Sequence, residues 1–180
     1  MHVVRETMRP TFTAKYPNTR VIIDCIEVRC QMPNSLPMNS ELFSSYKNHV
    51  TLKALVGISQ LYTGSISDRE IVTRSAFLSQ EFEGDCVMAD KGFQIQHLLP
   101  FGITLNIAPF LGGDSQMSPE DVIKTQKIAS LRIHVERAIN KIKSFHVWDR
   151  VIPLCMFRLV NQMWSVCAFL CNTHDPLITE

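Results

Sequence analysis

The sequence predicts a mixed α/β domain, and three stretches carry that prediction. Residues 20–28, R-V-I-I-D-C-I-E-V, are rich in β-branched side chains and apolar on both faces, as a central strand covered from both sides would be. Residues 85–90 give a second, shorter apolar strand around C-V-M-A. Beyond Ser118 the period changes: Ile128, Leu131, Val135, Ala138, Ile142 and Phe145 recur at spacings of three or four, which lines one face of a long helix.

Composition bounds the rest. With 180 residues the chain can bury the core of one compact domain and is too short for a second full one. A net charge of +1 does not announce a polyanionic partner, so any nucleic-acid surface has to be local. The six cysteines are scattered, without a C-x-x-C pair or a secretory signal, and read as reduced intracellular thiols. The most apolar late stretch, residues 151–170, is interrupted by Pro153, Arg158, Asn161 and Gln162, which are costly in a bilayer core; no membrane span is expected.

Taken in order, residues 1–15 are mixed and polar and are expected to form an arm, with the fold occupying residues 16–180. After the first strand, residues 31–45 carry Pro33, Pro37, asparagines and serines, a loop composition, before residues 46–58 return to strand character as an antiparallel neighbour. Residues 68–82 place Ile71, Val72, Ala76 and Leu78 at helical spacing behind a cap at Ser67 or Asp68. The 85–90 strand then delivers Asp90 to its carboxyl end, just before Gly92 permits a sharp turn. A brief helix through Leu98 and Leu99 and a strand over 103–107 follow. Ser118, Pro119 and Asp121 are the cap, the first-turn proline and the capping-box acid of the long helix. A last helix is expected over 153–171, with Trp164 on its apolar face.

An ionised carboxylate in a buried strand is costly unless it is paired or bound to metal, so Asp24 within V-I-I-D-C-I needs a reason to be there. Taken singly, Asp24 reads as a structural acid bonded to backbone or an arginine, and Asp90 as a turn residue. Taken with Glu136 on the long helix, the order is strand aspartate, strand-end aspartate, helix glutamate. That is the order an RNase H-like phosphoryl-transfer site requires, with adjacent strands setting the aspartates side by side and the helix bringing the glutamate. Such a site suits Mg²⁺ or Mn²⁺, hard ions that take oxygen ligands and tolerate several waters beside a few carboxylates. Lys124, Lys127, Arg132, Arg137, Lys141 and Lys143 on the same helix are phosphate contacts on this reading and an ordinary solvated face on the bland one. Cys167, Cys171 and His174 make only three ligands for zinc and read better as buried thiols and a neighbour.

Read consecutively, R-V-I-I-D-C, S-S-Y-K-N-H-V-T-L-K-A-L-V-G-I-S, G-S-I-S-D-R-E-I, G-D-C-V-M-A-D-K-G-F, L-N-I-A-P-F-L-G-G and I-A-S-L-R-I-H-V-E-R-A-I resemble the DDE superfamily endonuclease domain of PIF/Harbinger-like elements, over nearly everything from Tyr16 onward. By that resemblance Asp24, Asp90 and Glu136 match the catalytic, metal-binding acids, and Asp68 in G-S-I-S-D matches a secondary acid near the site. The resemblance implies an RNase H-like mixed sheet flanked by helices, a divalent cofactor (Mg²⁺ or Mn²⁺), DNA cut by hydrolysis and joined by transesterification, and a nuclear location.

Similar proteins have a longer segment before G-S-I-S-D than the 59–63 stretch found here, so a shortened third-strand hairpin is expected, with apolar side chains left short of cover. They also carry a zinc-finger or helix-turn-helix module, which is not found before Tyr16; recognition of particular DNA ends is then expected from a separate DNA-binding protein, and a homo-oligomer stays open. Two further readings stand beside the nuclease: a transposase-derived scaffold without catalysis, and a truncated relic that does not fold stably.

Overall fold

The structure, a computed structural model, describes residues 10–56, 59–75, 77–80, 84–111 and 116–173. In chain order its elements are α1 (Pro10–Thr13), β1 (Thr19–Ile23), β2 (Cys25–Arg29), α2 (Leu36–Leu42), β3 (Phe43–Ser44), β4 (His49–Leu55), β5 (Tyr62–Thr63), α3 (Asp68–Arg74), β6 (Cys86–Ala89), β7 (Thr104–Asn106), α4 (Pro119–Lys143) and α5 (Val160–Cys171). The chain is a mixed α/β fold with one parallel and one antiparallel sheet, consistent with the RNase H-like class. These fall into two compact units, one drawn from residues 1–24 and 78–133, the other from 25–77 and 134–180.

In the first unit β6 is the central strand of a parallel sheet ordered β1-β6-β7. All four of its residues are buried, which is why C-V-M-A is apolar throughout rather than alternating. Met88 packs with Ile128 and Leu131 from α4, and Phe12, Tyr16 and Ile22 close over that cluster. The arm read from the sequence thus contains a short helix, α1, whose Phe12 contributes to a core. Asp85, just before β6, is 2 % exposed and paired with Arg20 of β1 at 3.2 Å. The start of α4 is as the sequence predicts: the Ser118 hydroxyl accepts from Asp121 N at 3.1 Å and donates to the Asp121 carboxylate at 2.9 Å.

In the second unit β4 is central. β2 runs antiparallel along one edge, from Cys25 opposite Leu55 to Arg29 opposite Thr51. β3 and β5 share the other edge, with Phe43 opposite Val50 and Leu52 opposite Thr63. The core joins Ile26, Val28, Leu52 and Ala54 to Ile142, Ile152, Val160 and Trp164. Trp148 meets Trp164 edge to face, with ring centroids 5.7 Å apart and planes at 75°. Burial pushes the Cys30 thiol in this core up to about 11, so it stays protonated at neutral pH. None of the six cysteines is disulfide-bonded.

The shortened hairpin is present, since β5 is only two residues long, yet the edge is not left bare. The Ser59 hydroxyl accepts from Leu55 N at 2.8 Å, Asn161 Oδ1 on α5 accepts from Leu61 N at 2.7 Å, and Trp164 Nε1 donates to the Ser59 carbonyl at 2.9 Å. Side chains from α5 therefore satisfy the backbone groups that a longer strand would have paired, and Leu61 is 5 % exposed. Asn161→Ala is expected to leave the buried Leu61 N–H without an acceptor and to lower stability by about 1–3 kcal/mol in urea unfolding. A midpoint unchanged from wild type would show that the clip is dispensable.

Several element boundaries differ from the expectation. The loop expected over 31–45 contains α2, with proline in its first turn and Ser35 at the N-cap position without a side-chain cap bond. The strand expected over 46–58 covers 49–55, after a turn in which Asn48 takes φ 54°; residues 57 and 58 lie outside the described residues. The helix expected over 68–82 ends at Arg74 and resumes as a tight turn over Phe77–Gln80. The long helix ends at Lys143, so Phe145 lies outside it, and the last helix starts at Val160 rather than 153, after a separate turn at Leu154–Met156. Among the described residues no helix is long and apolar enough to cross a membrane.

Candidate active site

Ile23 and Ala89 are register partners in the parallel pair of β1 and β6, so the next residues, Asp24 and Asp90, emerge side by side at the carboxyl end of the sheet. In open α/β sheets that end is where ligands are bound, because loops and helix termini leave a crevice there. Asp90 begins a turn closed by Phe93 N and the Asp90 carbonyl at 2.9 Å, and Lys91 N donates to its Oδ1 at 2.9 Å. These bonds fix a carboxylate that is still half exposed.

Between the two acids lies Arg132, one turn along α4 from Ile128. Its Nη2 donates to Asp24 Oδ2 at 3.1 Å and its Nη1 to Asp90 Oδ1 at 3.0 Å. The side chains of Asp24 and Arg132 are 20 % and 18 % exposed, and that of Asp90 49 %. Two carboxylates thus share one guanidinium and leave one formal negative charge in a partly covered place, where pairing is worth more than at the open surface. A cleft of about 380 Å³ opens beside them, lined by Asp90, Lys91, Pro109, Thr125, Ile128 and Arg132.

The remaining predicted residues lie elsewhere. Glu136 is exposed on α4, four residues after Arg132, and is assigned to the second unit. Asp68, at the start of α3, is ion-paired with Lys53 Nζ at 2.6 Å, and Lys53 also lies 4.0 Å from Glu27. Burial by itself would lower the Lys53 pKa, but the bond to Asp68 and the charges of Asp68, Cys25 and Glu27 outweigh it and raise it. Lys124, Lys127 and Arg137 are exposed on α4 and Lys141 is half-buried. His174, the third residue considered for zinc, lies outside the described residues. Among the described residues no three His, Cys, Asp or Glu side chains converge on a common metal position.

The bridging role of Arg132 escapes sequence reading because its partners are 42 and 108 residues away. The only available signal is its place in L-R-I-H-V-E, one turn before the predicted glutamate. As a donor set, the paired aspartates fit a hard divalent cation: they offer carboxylate oxygens, and Asp90 opens to solvent that can complete the coordination.

A parallel sheet that ends in two adjacent aspartates, backed by a basic helix, is an arrangement suited to phosphoryl transfer. The sequence pattern of the DDE superfamily endonuclease family matches residues 23–172, and the chain belongs to that family. No curated protein and no solved structure matches it. Membership points to a nuclease- or transposase-type function with DNA as substrate, in a superfamily that usually uses divalent metals.

Proposed function

We propose that the chain is the catalytic domain of a PIF/Harbinger-like transposase, cutting DNA by phosphodiester hydrolysis and joining it by transesterification. The observation that carries this reading is the register of β1 and β6, which sets Asp24 beside Asp90 at the carboxyl end of the sheet. Asp24, Asp90 and Glu136 are the proposed ligands of Mg²⁺ or Mn²⁺. The chemistry that an ion held there would supply is activation of the attacking water or 3′-hydroxyl and stabilisation of the leaving oxygen. The chain's own residues orient and neutralise: the turn at Asp90 holds one carboxylate in place, and Lys124, Lys127, Arg137 and Lys141 meet backbone phosphates and set the register of the strand. Asp68, held by Lys53, keeps a secondary positioning role. On this reading the protein works in the nucleus, with a separate DNA-binding protein choosing the ends and self-association bringing two ends together.

A second reading, a transposase-derived scaffold without catalysis, is favoured by one observation: Arg132 already neutralises part of the charge on the aspartate pair. Nicking of supercoiled plasmid in Mn²⁺ separates the two. Wild-type protein is expected to nick, and Asp90→Asn to lose at least roughly a thousandfold, equivalent to about 4 kcal/mol of barrier lowering. No metal-dependent nicking by the wild type, or equal nicking by the variant, supports the scaffold instead.

A further inference from the structure

We propose that Arg132 is the built-in counter-cation of the Asp24/Asp90 pair and that it competes with divalent metal for those two carboxylates, so that guanidinium and metal occupy them in alternation. The inference rests on the reading of the two aspartates as metal ligands and adds a residue that the triad does not contain.

The geometry is that of a bridge. Each terminal nitrogen of one guanidinium donates to a different aspartate, at 3.0 and 3.1 Å, so a single planar cation holds both acids at once. A divalent ion taking an oxygen from each aspartate draws on the same charge and approaches the same facing oxygens. Mg²⁺ demands near-octahedral geometry at about 2.0–2.1 Å, far closer than the hydrogen-bonded contacts of the guanidinium. With both cations in place, a double positive charge would stand within a few ångströms of the guanidinium in a site where Arg132 is only 18 % exposed and solvent screens poorly. Arg132 then has to swing away from at least one carboxylate, and the cleft it lines gives it room to do so.

Arg132 then does two things. Without metal it keeps two adjacent carboxylates from repelling each other; as metal enters it is set free, a cation released beside the incoming ion at the place where a phosphate is to be met. The metal-free fold is stabilised at the expense of metal affinity.

The test uses the whole chain and reads metal binding rather than activity. Mn²⁺ is titrated into wild type, Arg132→Gln, Arg132→Lys and Asp90→Asn, following free Mn²⁺ by electron paramagnetic resonance, with thermal melts of each protein in chelator and in excess Mn²⁺. Arg132→Gln is expected to melt lower in chelator and to bind Mn²⁺ about tenfold more tightly, the order of effect one unit charge exerts a few ångströms away. Arg132→Lys, which keeps the charge but cannot bridge both acids, is expected to fall between them. Unchanged or weaker binding by Arg132→Gln, with wild-type binding intact and abolished in Asp90→Asn, overturns the competition and leaves the metal site standing. Absence of binding in the wild type and in every variant overturns the metal-site reading itself and this inference with it. If Arg132→Gln fails to melt cooperatively in chelator, recovery of a cooperative melt in Mn²⁺ supports the exchange, and lack of recovery counts against it.

Discussion

Asp85→Ala is expected to destabilise the chain by roughly 3–5 kcal/mol, the order of effect of breaking a buried ion pair by removing one member. Asp85 is 2 % exposed and Arg20, its partner across the β1 and β6 pair, is largely covered. The two residues stand at the end of the sheet opposite Asp24 and Asp90, so the loss falls on the strand pair that sets the aspartates side by side. For a chain of this length that corresponds to a fall on the order of 10 °C in Tm. Urea unfolding followed by circular dichroism checks it; a midpoint within the error of wild type would show that the pair adds nothing to stability.

The second large effect is expected from Gly64→Ala. A methyl group there would be 2.5 Å from the Leu42 carbonyl oxygen and 2.7 Å from that of Thr51, and would also collide with the Thr51 hydroxyl. Two of these three obstacles are backbone, so no side-chain rotation relieves them. The third is a hydroxyl that donates to Glu27 Oε2 at 2.9 Å, so moving it breaks a bond between β4 and β2. A loss of about 3 kcal/mol, at the upper end for overpacking, is expected. Gly92→Ala is the control: it lies close to Asp90 in sequence, nothing is within 4 Å of its added carbon and its φ is not positive, so its stability is expected to match wild type. The sharp turn expected from the sequence is present over residues 90–93, but Gly92 sits in it without a positive φ. Equal melts for Gly64→Ala and Gly92→Ala would show that the backbone around Gly64 yields freely.

Much of this architecture was legible in the residue pattern, because the legible parts rest on local rules. The β-branched run over 20–28, read as one central strand with Asp24 inside it, is divided in the structure into β1 and β2, end strands of two different sheets, with Asp24 at the break; C-V-M-A is the buried central strand expected and delivers Asp90 at its end. Ser118, Pro119 and Asp121 located the start of α4 to the residue, since capping is settled within four positions. What was missed is of two kinds. The α2 helix was hidden by Pro37 and its neighbours, whose loop-like composition is also that of a helix with proline in its first turn. The clip of Asn161 and Trp164 on the 59–61 segment, and the bridge from Arg132, join residues about a hundred positions apart, and no spacing rule links such residues. The bland reading of Asp24, an acid paired with an arginine, and the functional one both describe the same atoms: Arg132 is that arginine.

The chain passes between its two units at residues 24, 77 and 133, and this routing fixes the order in which a nascent chain can acquire them. Strands β2 to β5 leave the ribosome as one uninterrupted stretch, so their antiparallel sheet can pair as soon as it emerges. β1 emerges before all of them and must wait for β6 and β7, its parallel sheet being complete only after residue 106. Distant parallel pairing of this kind is slow and leaves an apolar strand available to wrong partners in the interval. A translation product that stops short of β6 presents Asp24 with no second aspartate beside it, and its β2–β5 sheet without the 142–167 side chains that cover it. The acid pair is thus made only on chains that have been read through β6.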